Sequence, residues 1–434
     1  MLPRLSARTR AARSSMETMN NPHSMAGPEH RPSLVSWNLT AACNLRCSHC
    51  YLGAGARADG ELDTGEALAV VDELAGLGTE MLILTGGEPL LRRDLYDIAR
   101  RAADQGLIVV MGTNGLLLDD DVAVRLVASG VKGIGVSVDS VDADRHDAFR
   151  GLPGAWQGAL RAVDACRAAG LQVVIQTTLK SDNLDELPQL VDLAKAKGAQ
   201  AFNAYYLVCT GRGERLTDIT PQQYEHTLGV LIESQSEHLG QIMLRAKCAP
   251  NVGRVACEKG IPMAGSAGCL AGRSYVRIGP TGEVTPCPYM PTSVGNVRDG
   301  GIGTLWVSAP LFRDLRRKEL GGRCGRCEYG DVCGGCRARA LALLGDHLAE
   351  DPWCVHEPSD GERRSAHPIT WTPEATERLA RIPSFIRDRI RAGLEAHARS
   401  RGLLVITPQL MAEVRRNMGG HPFGGRGHPA AGGS

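Results

Sequence analysis

Residues 43–51 read Cys43-Asn44-Leu45-Arg46-Cys47-Ser48-His49-Cys50-Tyr51 and directly follow a short apolar run at 34–39. The spacing CxxxCxxC brings three thiolates into one loop, whereas a [4Fe–4S] cluster normally takes four. Three protein ligands leave one iron open for an exogenous ligand, and an open position is typical of catalytic metal sites. A zinc site, or a closed cluster completed by His49 or a remote cysteine, is the alternative.

This loop opens a series of alternating strand-like and helix-like segments. The strand-like runs lie at 34–39, 81–85, 107–111, 133–138, 172–177 and 201–206, and helical periodicity runs through 64–77, 95–104, 122–128, 154–169 and 184–196. Such alternation implies a parallel sheet with right-handed crossovers. Six units are fewer than the eight of a closed barrel, so we predict an α/β fold, a partial (βα)6 TIM-like barrel. We expect the active-site residues of such a fold at the C-terminal ends of its strands.

Polar residues stand at several of these strand ends. The second strand ends in Thr85-Gly86-Gly87-Glu88-Pro89, where glycines permit close backbone approach and the carboxylate can accept from a cation. The later ends carry side chains that suit hydrogen bonds to a ribose or a carboxylate, namely Asn114, Ser137, Asp139 and Thr178. Ordinary polar loop residues are the alternative. We interpret Arg150 as a solvated surface arginine rather than a carboxylate anchor.

A second group of cysteines follows downstream, around a predicted hairpin (275–278 and 283–286) and a predicted helix at 304–318. Its members are Cys269, Cys287, Cys324, Cys327, Cys333, Cys336 and Cys354. Seven such cysteines indicate iron–sulfur ligands, with a zinc ribbon as the alternative. Because no secretory signal is visible, an extracellular disulfide framework is disfavoured. Cys166 and Cys209 are predicted to be structural thiols.

The cysteine loop and the Gly-Gly-Glu-Pro motif resemble the radical S-adenosylmethionine (SAM) superfamily, and the later cysteines resemble its SPASM extension. The resemblance implies that Cys43, Cys47 and Cys50 hold a catalytic [4Fe–4S] cluster, whose open iron is chelated by the methionyl amine and carboxylate of SAM. Reductive cleavage then gives a 5′-deoxyadenosyl radical. The SAM contacts implied are Gly86, Gly87, Glu88, Asn114, Ser137, Asp139 and Thr178.

The same resemblance implies one or two auxiliary [4Fe–4S] clusters. One would be held by Cys324, Cys327, Cys333 and Cys354. The other would be held by Cys269, Cys287 and Cys336, with Cys248 or Cys257 as the fourth ligand.

Three shorter segments resemble porphyrinoid-modifying members of the superfamily, the group of haem d1 biosynthesis and Fe-coproporphyrin III decarboxylation. They are Lys247-Cys248-Ala249-Pro250, Gly268-Cys269-Leu270-Ala271-Gly272 and Pro286-Cys287-Pro288-Tyr289. The C-terminal residues resemble a small helical domain of protochlorophyllide reductase. The resemblance to porphyrinoid-modifying enzymes implies decarboxylation or removal of tetrapyrrole propionate side chains, with an electron donor such as ferredoxin or flavodoxin. Arg212 and Lys247 are candidates to pair with propionates.

Two other functions stay open at this point. One is a SPASM-type maturase that modifies a ribosomally made peptide or protein. The other is a non-catalytic iron–sulfur electron carrier, which would form no 5′-deoxyadenosine when supplied with SAM and a reductant.

Composition limits the remaining possibilities. The chain has 434 residues, and 49 basic against 48 acidic residues give a net charge of +1, which disfavours nucleic-acid binding. No apolar run approaches the ~20 residues of a membrane span, and we expect a cytoplasmic protein.

We predict a disordered leader (1–32), the barrel (33–240), a Cys-rich α+β auxiliary-cluster domain (241–358), a three-helix unit (368–418) and a disordered tail (419–434).

Overall fold

A ten-stranded sheet forms the centre of the computed structural model, which describes residues 30–216, 219–261, 268–317, 319–359, 369–400, 403 and 405–417. Seven parallel strands lie side by side in chain order: β1 (Leu34–Asn38), β2 (Met81–Thr85), β3 (Ile108–Thr113), β4 (Gly133–Ser137), β5 (Gln172–Leu179), β6 (Ala201–Tyr206) and β7 (Met243–Lys247). β8 (Tyr275–Ile278) pairs in parallel with the free edge of β1. β9 (Glu283–Thr285) and β10 (Gly295–Asn296) continue beyond it as antiparallel strands.

Helices connect the parallel strands. They are α1 (Thr64–Gly76), α2 (Leu95–Asp104), α3 (Asp120–Ala128), α4 (Ala143–Arg150), α5 (Ala155–Ala168), α6 (Leu187–Ala196), α7 (Pro221–Glu237) and α8 (Val252–Lys259). Capping residues help to fix where these helices begin. In α1, for example, the side chains of Asp63 and Glu66 form a capping box in which each accepts a hydrogen bond from the other's backbone N–H. The main core lies between the sheet and these helices and includes Trp37, Leu84 and Phe202, all fully buried.

The predicted partial barrel is confirmed, and its sheet is wider than the sequence predicted. β7 lies beyond residue 240, where the barrel was expected to end, and pairs with β6 over five residues. Only Met243 and Leu244 are buried in this strand, so its apolar run is too short to indicate a strand by itself.

The cysteine-rich region contains the predicted hairpin of β8 and β9, followed by short helices. These are α9 (Gly301–Ser308), α10 (Pro310–Arg317), α11 (Gly322–Arg326) and α12 (Arg337–Leu344). The prediction of a single helix at 304–318 is therefore wrong, because the helical conformation is interrupted at Ala309. Ala309 is extended (φ −64°, ψ 126°), as the residue before a proline usually is.

The C-terminal unit contains the three predicted helices, α13 (Pro373–Ala380), α14 (Ser384–Ser400) and α15 (Pro408–Asn417), and a two-stranded sheet of β11 (Thr370–Trp371) and β12 (Val405–Ile406). It has a small core of its own around Leu394, Ile406 and Leu410, and α14 packs against α8.

The predicted disordered leader and tail fall mostly outside the described residues. Residues 30–32, assigned to the leader, are instead held against the body: Trp306 donates to the carbonyl of His30 (3.0 Å), and Thr79 donates to that of Pro32 (2.8 Å). Within the described part of the chain, no helix is long and apolar enough to cross a membrane.

Candidate functional site

The three cysteines of the first motif share the loop that leaves the C-terminal end of β1. Cys47 is buried, and Cys43 and Cys50 are half-buried. Burial, together with the nearby charges of Glu88, Cys47 and Cys50, raises the pKa of Cys43 to about 11, although a hydrogen bond from the Leu45 N–H opposes the shift. A bare thiolate at Cys43 is therefore disfavoured, and bound iron would supply the positive charge that stabilises it. The donor set fits a cluster bound by three thiolates.

Gly86 and Gly87 hold this loop in place. The N–H of Gly87 donates to the carbonyl of Thr40 (2.7 Å), and the N–H of Glu88 donates to that of Ala42 (2.8 Å). A Cβ on Gly87 would lie 2.1 Å from the Ala42 carbonyl oxygen. The sequence predicted that these glycines let the backbone approach a ligand closely, which stays a prediction; the contact that the structure shows is with the backbone at the start of the cysteine loop.

Glu88 lies at the junction of the β2 and β3 ends and is fully buried. Its carboxylate accepts hydrogen bonds from the Thr113 hydroxyl (2.9 Å) and from the backbone N–H groups of Asn114 (2.9 Å) and Leu90 (3.2 Å). Burial raises the pKa of Glu88 to about 7, although these donors oppose the shift. Asn114 also donates to the Asn44 side chain (2.7 Å), so the third strand end is tied to the cysteine loop.

Asp139 and Thr178 meet at the ends of β4 and β5, where the Thr178 N–H donates to Asp139 Oδ1 (2.8 Å). The other carboxylate oxygen of Asp139 accepts from Nε of Arg150 (2.6 Å). The interpretation of Arg150 as a solvated surface residue is wrong: it is 7% exposed and directs Nη1 toward Cys47 Sγ at 3.9 Å. Ser137 is half-buried at the end of β4, opposite Gln176 in register.

The segment after β6 braces the cysteine loop from the other side. Arg212 donates to the carbonyls of Cys47 (2.9 Å) and Ala54 (2.7 Å). Gly211 adopts a φ of +59°, and a Cβ there would lie 2.5 Å from the Tyr51 carbonyl oxygen. The pairing of Arg212 with a propionate stays a prediction, and it would use the guanidinium N–H groups that these two contacts leave.

Four of the downstream thiols form a first auxiliary set, defined as Cys248, Cys269, Cys287 and Cys336. They pack together around Met290 and Leu315, and burial raises the pKa of Cys287 with added repulsion from the other three thiols. Among the described residues, Cys248 alone adopts a positive φ without being glycine (+56°). Such strain persists where surrounding structure imposes it and clusters at functional sites.

A second auxiliary set consists of Cys324, Cys327, Cys333 and Cys354. Burial, together with the charges of Glu328, Cys354 and Cys324, raises the pKa of Cys327 to about 11. The thiol of Cys324 accepts from the N–H of Asp351 (3.4 Å), and that of Cys333 accepts from the N–H of Gly335 (3.4 Å). Each set thus offers four thiols, the number that a closed [4Fe–4S] cluster requires.

A fully buried ion pair connects the two sets. Arg339 donates to Asp351 (2.9 Å) and to the carbonyl of Cys248 (2.8 Å), while Asp351 accepts from the N–H of Cys336 (2.8 Å). Both side chains are 0% exposed. No sequence signal singled out this pair, because neither residue stands in a recognisable motif.

Aromatic side chains lie between the cysteine loop and the first auxiliary set. The rings of Tyr51 and Tyr289 meet edge to face with centroids 5.3 Å apart, and the Tyr51 hydroxyl accepts from Asn38 (2.8 Å). Tyr289 packs with the thiols of the first auxiliary set. Burial raises the pKa of Tyr51, and its surroundings include both Cys50 and Cys287.

The family models that match the chain correspond to these sites. The Radical SAM superfamily model matches residues 37–194, and the iron–sulfur cluster-binding domain model, SPASM, matches 269–328. A third, the proto-chlorophyllide reductase 57 kD subunit model, matches 371–415. The class defined by fold and site is therefore a radical SAM protein, which takes SAM and a [4Fe–4S] cluster, with a domain for auxiliary clusters.

Individual relatives narrow this class. The AdoMet-dependent heme synthase of Methanosarcina barkeri is 42% identical over 77% of this chain and 99% of its own length. The pre-heme d1 synthase of Dinoroseobacter shibae is 33% identical over 81% of this chain and 94% of its own length. The chain belongs to the family of radical SAM enzymes that contains these relatives.

The fold also matches a solved structure. Streptococcus suis SuiB bound to S-adenosylmethionine superposes with a TM-score of 0.63 at 15% identity, over 82% of this chain and 84% of that one. This likeness supports the fold alone.

Proposed function

We propose that this protein is a radical SAM enzyme that modifies a tetrapyrrole in haem or haem d1-type biosynthesis by decarboxylating or removing propionate side chains. The observation that carries the proposal is the convergence of three thiols on one half-buried loop, with Glu88 beside them. Similarity to a heme synthase over nearly all of that relative's length supports the substrate class.

We propose the following roles at the N-terminal site. Cys43, Cys47 and Cys50 bind the catalytic cluster and leave one iron for SAM. When bound, the cluster and SAM supply a 5′-deoxyadenosyl radical. The protein's own part is to hold the loop rigidly through Gly86, Gly87 and Arg212, and to place SAM against the C-terminal strand ends.

The predicted SAM contacts divide into two groups on structural grounds. Ser137 remains a candidate for direct contact, since it is half-buried. The Asn114 side chain remains one through its second amide N–H only, because the first donates to Asn44 and the amide oxygen accepts from the Leu116 N–H. The carboxylates of Glu88 and Asp139 already accept hydrogen bonds from protein donors, and the Thr178 N–H is one of the donors to Asp139. We propose that these residues, together with Gly86 and Gly87, shape the pocket by holding its walls.

We propose two auxiliary clusters, with Cys248 rather than Cys257 completing the first set. Cys248 packs with Cys269, Cys287 and Cys336, whereas Cys257, which is on α8, lies near Tyr329.

An electron donor such as ferredoxin or flavodoxin would reduce the catalytic cluster. We also propose a cytoplasmic location, which the absence of disulfides among the fourteen cysteines suits. We keep 33–240, 241–358 and 368–418 as approximate domain bounds, although β7, a strand of the barrel sheet, lies just beyond the first boundary.

The experiment is anaerobic reconstitution with iron and sulfide, followed by SAM, a low-potential reductant and one substrate at a time. The substrates are Fe-coproporphyrin III, a sirohaem derivative and candidate peptides, and mass spectrometry reports which one changes mass. Loss of carbon dioxide or of a side chain from a porphyrinoid, with formation of 5′-deoxyadenosine, is the expected result. Modification of a peptide alone would favour the maturase function and overturn the proposal.

A matched pair of cysteine variants controls the experiment. Cys47→Ala removes a proposed cluster ligand and should abolish 5′-deoxyadenosine formation. Cys166→Ala removes an equally buried thiol from α5, where it packs in the main core, and should retain it. Equal activity of the two variants would contradict the assignment of Cys47.

A further inference from the structure

A buried arginine faces one of the three loop thiols. Arg150 is the last residue of α4, and its Nη1 lies 3.9 Å from Cys47 Sγ. Its side chain is 9% exposed, so water screens this charge weakly. Arg212, which also contacts the loop, donates to backbone carbonyls.

Asp139 fixes the position of that guanidinium. Its side chain is 2% exposed and accepts from Nε of Arg150 at 2.6 Å, whereas Nη1 is the atom that faces the thiol. Asp139 is itself anchored: its N–H donates to Nδ1 of His146 (3.1 Å), and its carbonyl accepts from the Asn183 amide (2.8 Å). The ion pair is therefore oriented with its positive end toward Cys47.

We propose that Arg150, positioned by Asp139, sets the reduction potential of the cluster bound at Cys47. The inference rests on the proposed function, because it requires a cluster at the three loop thiols. Reduction of that cluster adds one electron from the external donor and hence one negative charge. An adjacent buried cation and an N–H directed at a ligand sulfur favour the reduced form and raise the potential. The arrangement would ease delivery of the electron on which SAM cleavage depends.

Substitutions of Arg150 and Asp139 should shift the reduction potential in opposite directions. Arg150→Met removes the positive charge and the donor, so the potential of the N-terminal cluster should become more negative. Asp139→Asn removes the opposing negative charge and leaves the cation, so the potential should become less negative. Arg150→Lys keeps the charge and should stay closer to the wild type than Arg150→Met. A purely structural role would produce loss of iron in both single variants without shifts of opposite sign.

The experiment is an anaerobic redox titration of the reconstituted full chain, followed by electron paramagnetic resonance. The signal of the N-terminal cluster is identified by its change when SAM is added and by its absence in Cys47→Ala. Arg145→Met is the matched control: it removes the same charge from α4, but the Arg145 guanidinium binds Glu186 and the carbonyl of Asp182. It should leave the potential unchanged.

Each outcome decides the question. Opposite shifts in Arg150→Met and Asp139→Asn support the proposal. An unchanged potential, shifts of the same sign, or weakened SAM binding without a shift would overturn it while leaving the proposed function intact. If Arg150→Met fails to take up iron, Asp139→Asn and Arg150→Lys still provide the test. Absence of an N-terminal cluster in the wild type would instead contradict the proposed function.

Discussion

Gly87→Ala is expected to displace the cysteine loop without unfolding the protein. The added Cβ would lie 2.1 Å from the Ala42 carbonyl oxygen and 2.8 Å from that of Ala41. Ordinary contact needs about 3.4 Å, so the separation must grow by more than about 1 Å. Because both obstructing groups are backbone, no side-chain rotation relieves the clash. Overpacking of this kind costs about 1–3 kcal/mol, within the reserve of a typical domain.

The functional effect should exceed the effect on stability. A misplacement of about 1 Å at a catalytic centre can lower the rate roughly 100-fold. The assay measures iron per chain, the thermal midpoint and the initial rate of 5′-deoxyadenosine formation on reconstituted protein. Gly76→Ala is the matched control, since a Cβ on this last residue of α1 meets nothing within 4 Å. Wild-type iron content and rate in Gly87→Ala would refute the reasoning.

The remaining predictions concern the auxiliary thiols, the buried ion pair and acid stability. Cys248→Ser should lower the iron content by about one [4Fe–4S] cluster per chain, whereas Cys257→Ser should leave it unchanged; the reverse result would contradict the ligand assignment. Arg339→Met leaves Asp351 as an uncompensated buried charge and should cost about 3–5 kcal/mol in denaturant unfolding, with partial recovery in Arg339→Met/Asp351→Asn. Burial lowers the pKa of His146 to about 4, so the folded state binds this proton less tightly than the unfolded chain does. Its contribution to stability is present above pH ~6.5 and lost as the pH falls toward ~4, and His146→Gln should flatten the pH dependence of the thermal midpoint over that window; an unaltered slope would argue against it.

Much of the fold follows from periodicity and from local caps. The strands of the partial barrel were predictable because each contains a short apolar run between helices of amphipathic period. β7 was not, because its last three residues are half-buried and include Arg245 and Lys247. The break between α9 and α10 was predictable in principle from Pro310, which disfavours helical geometry in the residue before it.

The site residues that share one loop could be predicted from their spacing. Those that only tertiary contacts bring together were harder to predict. CxxxCxxC placed three thiols together at once. Arg150 gave no signal, because a lone arginine at a helix end is usually solvated, and only the fold brings it to Cys47 and Asp139. The choice between Cys248 and Cys257 also required the fold, since both precede Cys269 in the chain and spacing alone does not decide between them.

The most direct measurement concerns the iron that the three loop cysteines leave without a protein ligand. SAM labelled with ¹⁵N in the methionyl amine and ¹⁷O in the carboxylate is added to the reduced, reconstituted chain, and electron–nuclear double resonance is recorded on the N-terminal cluster. Hyperfine couplings from both labels are predicted, and they should disappear in Cys47→Ala. A fully formed cluster in the wild type that shows neither coupling would contradict an open iron site for SAM.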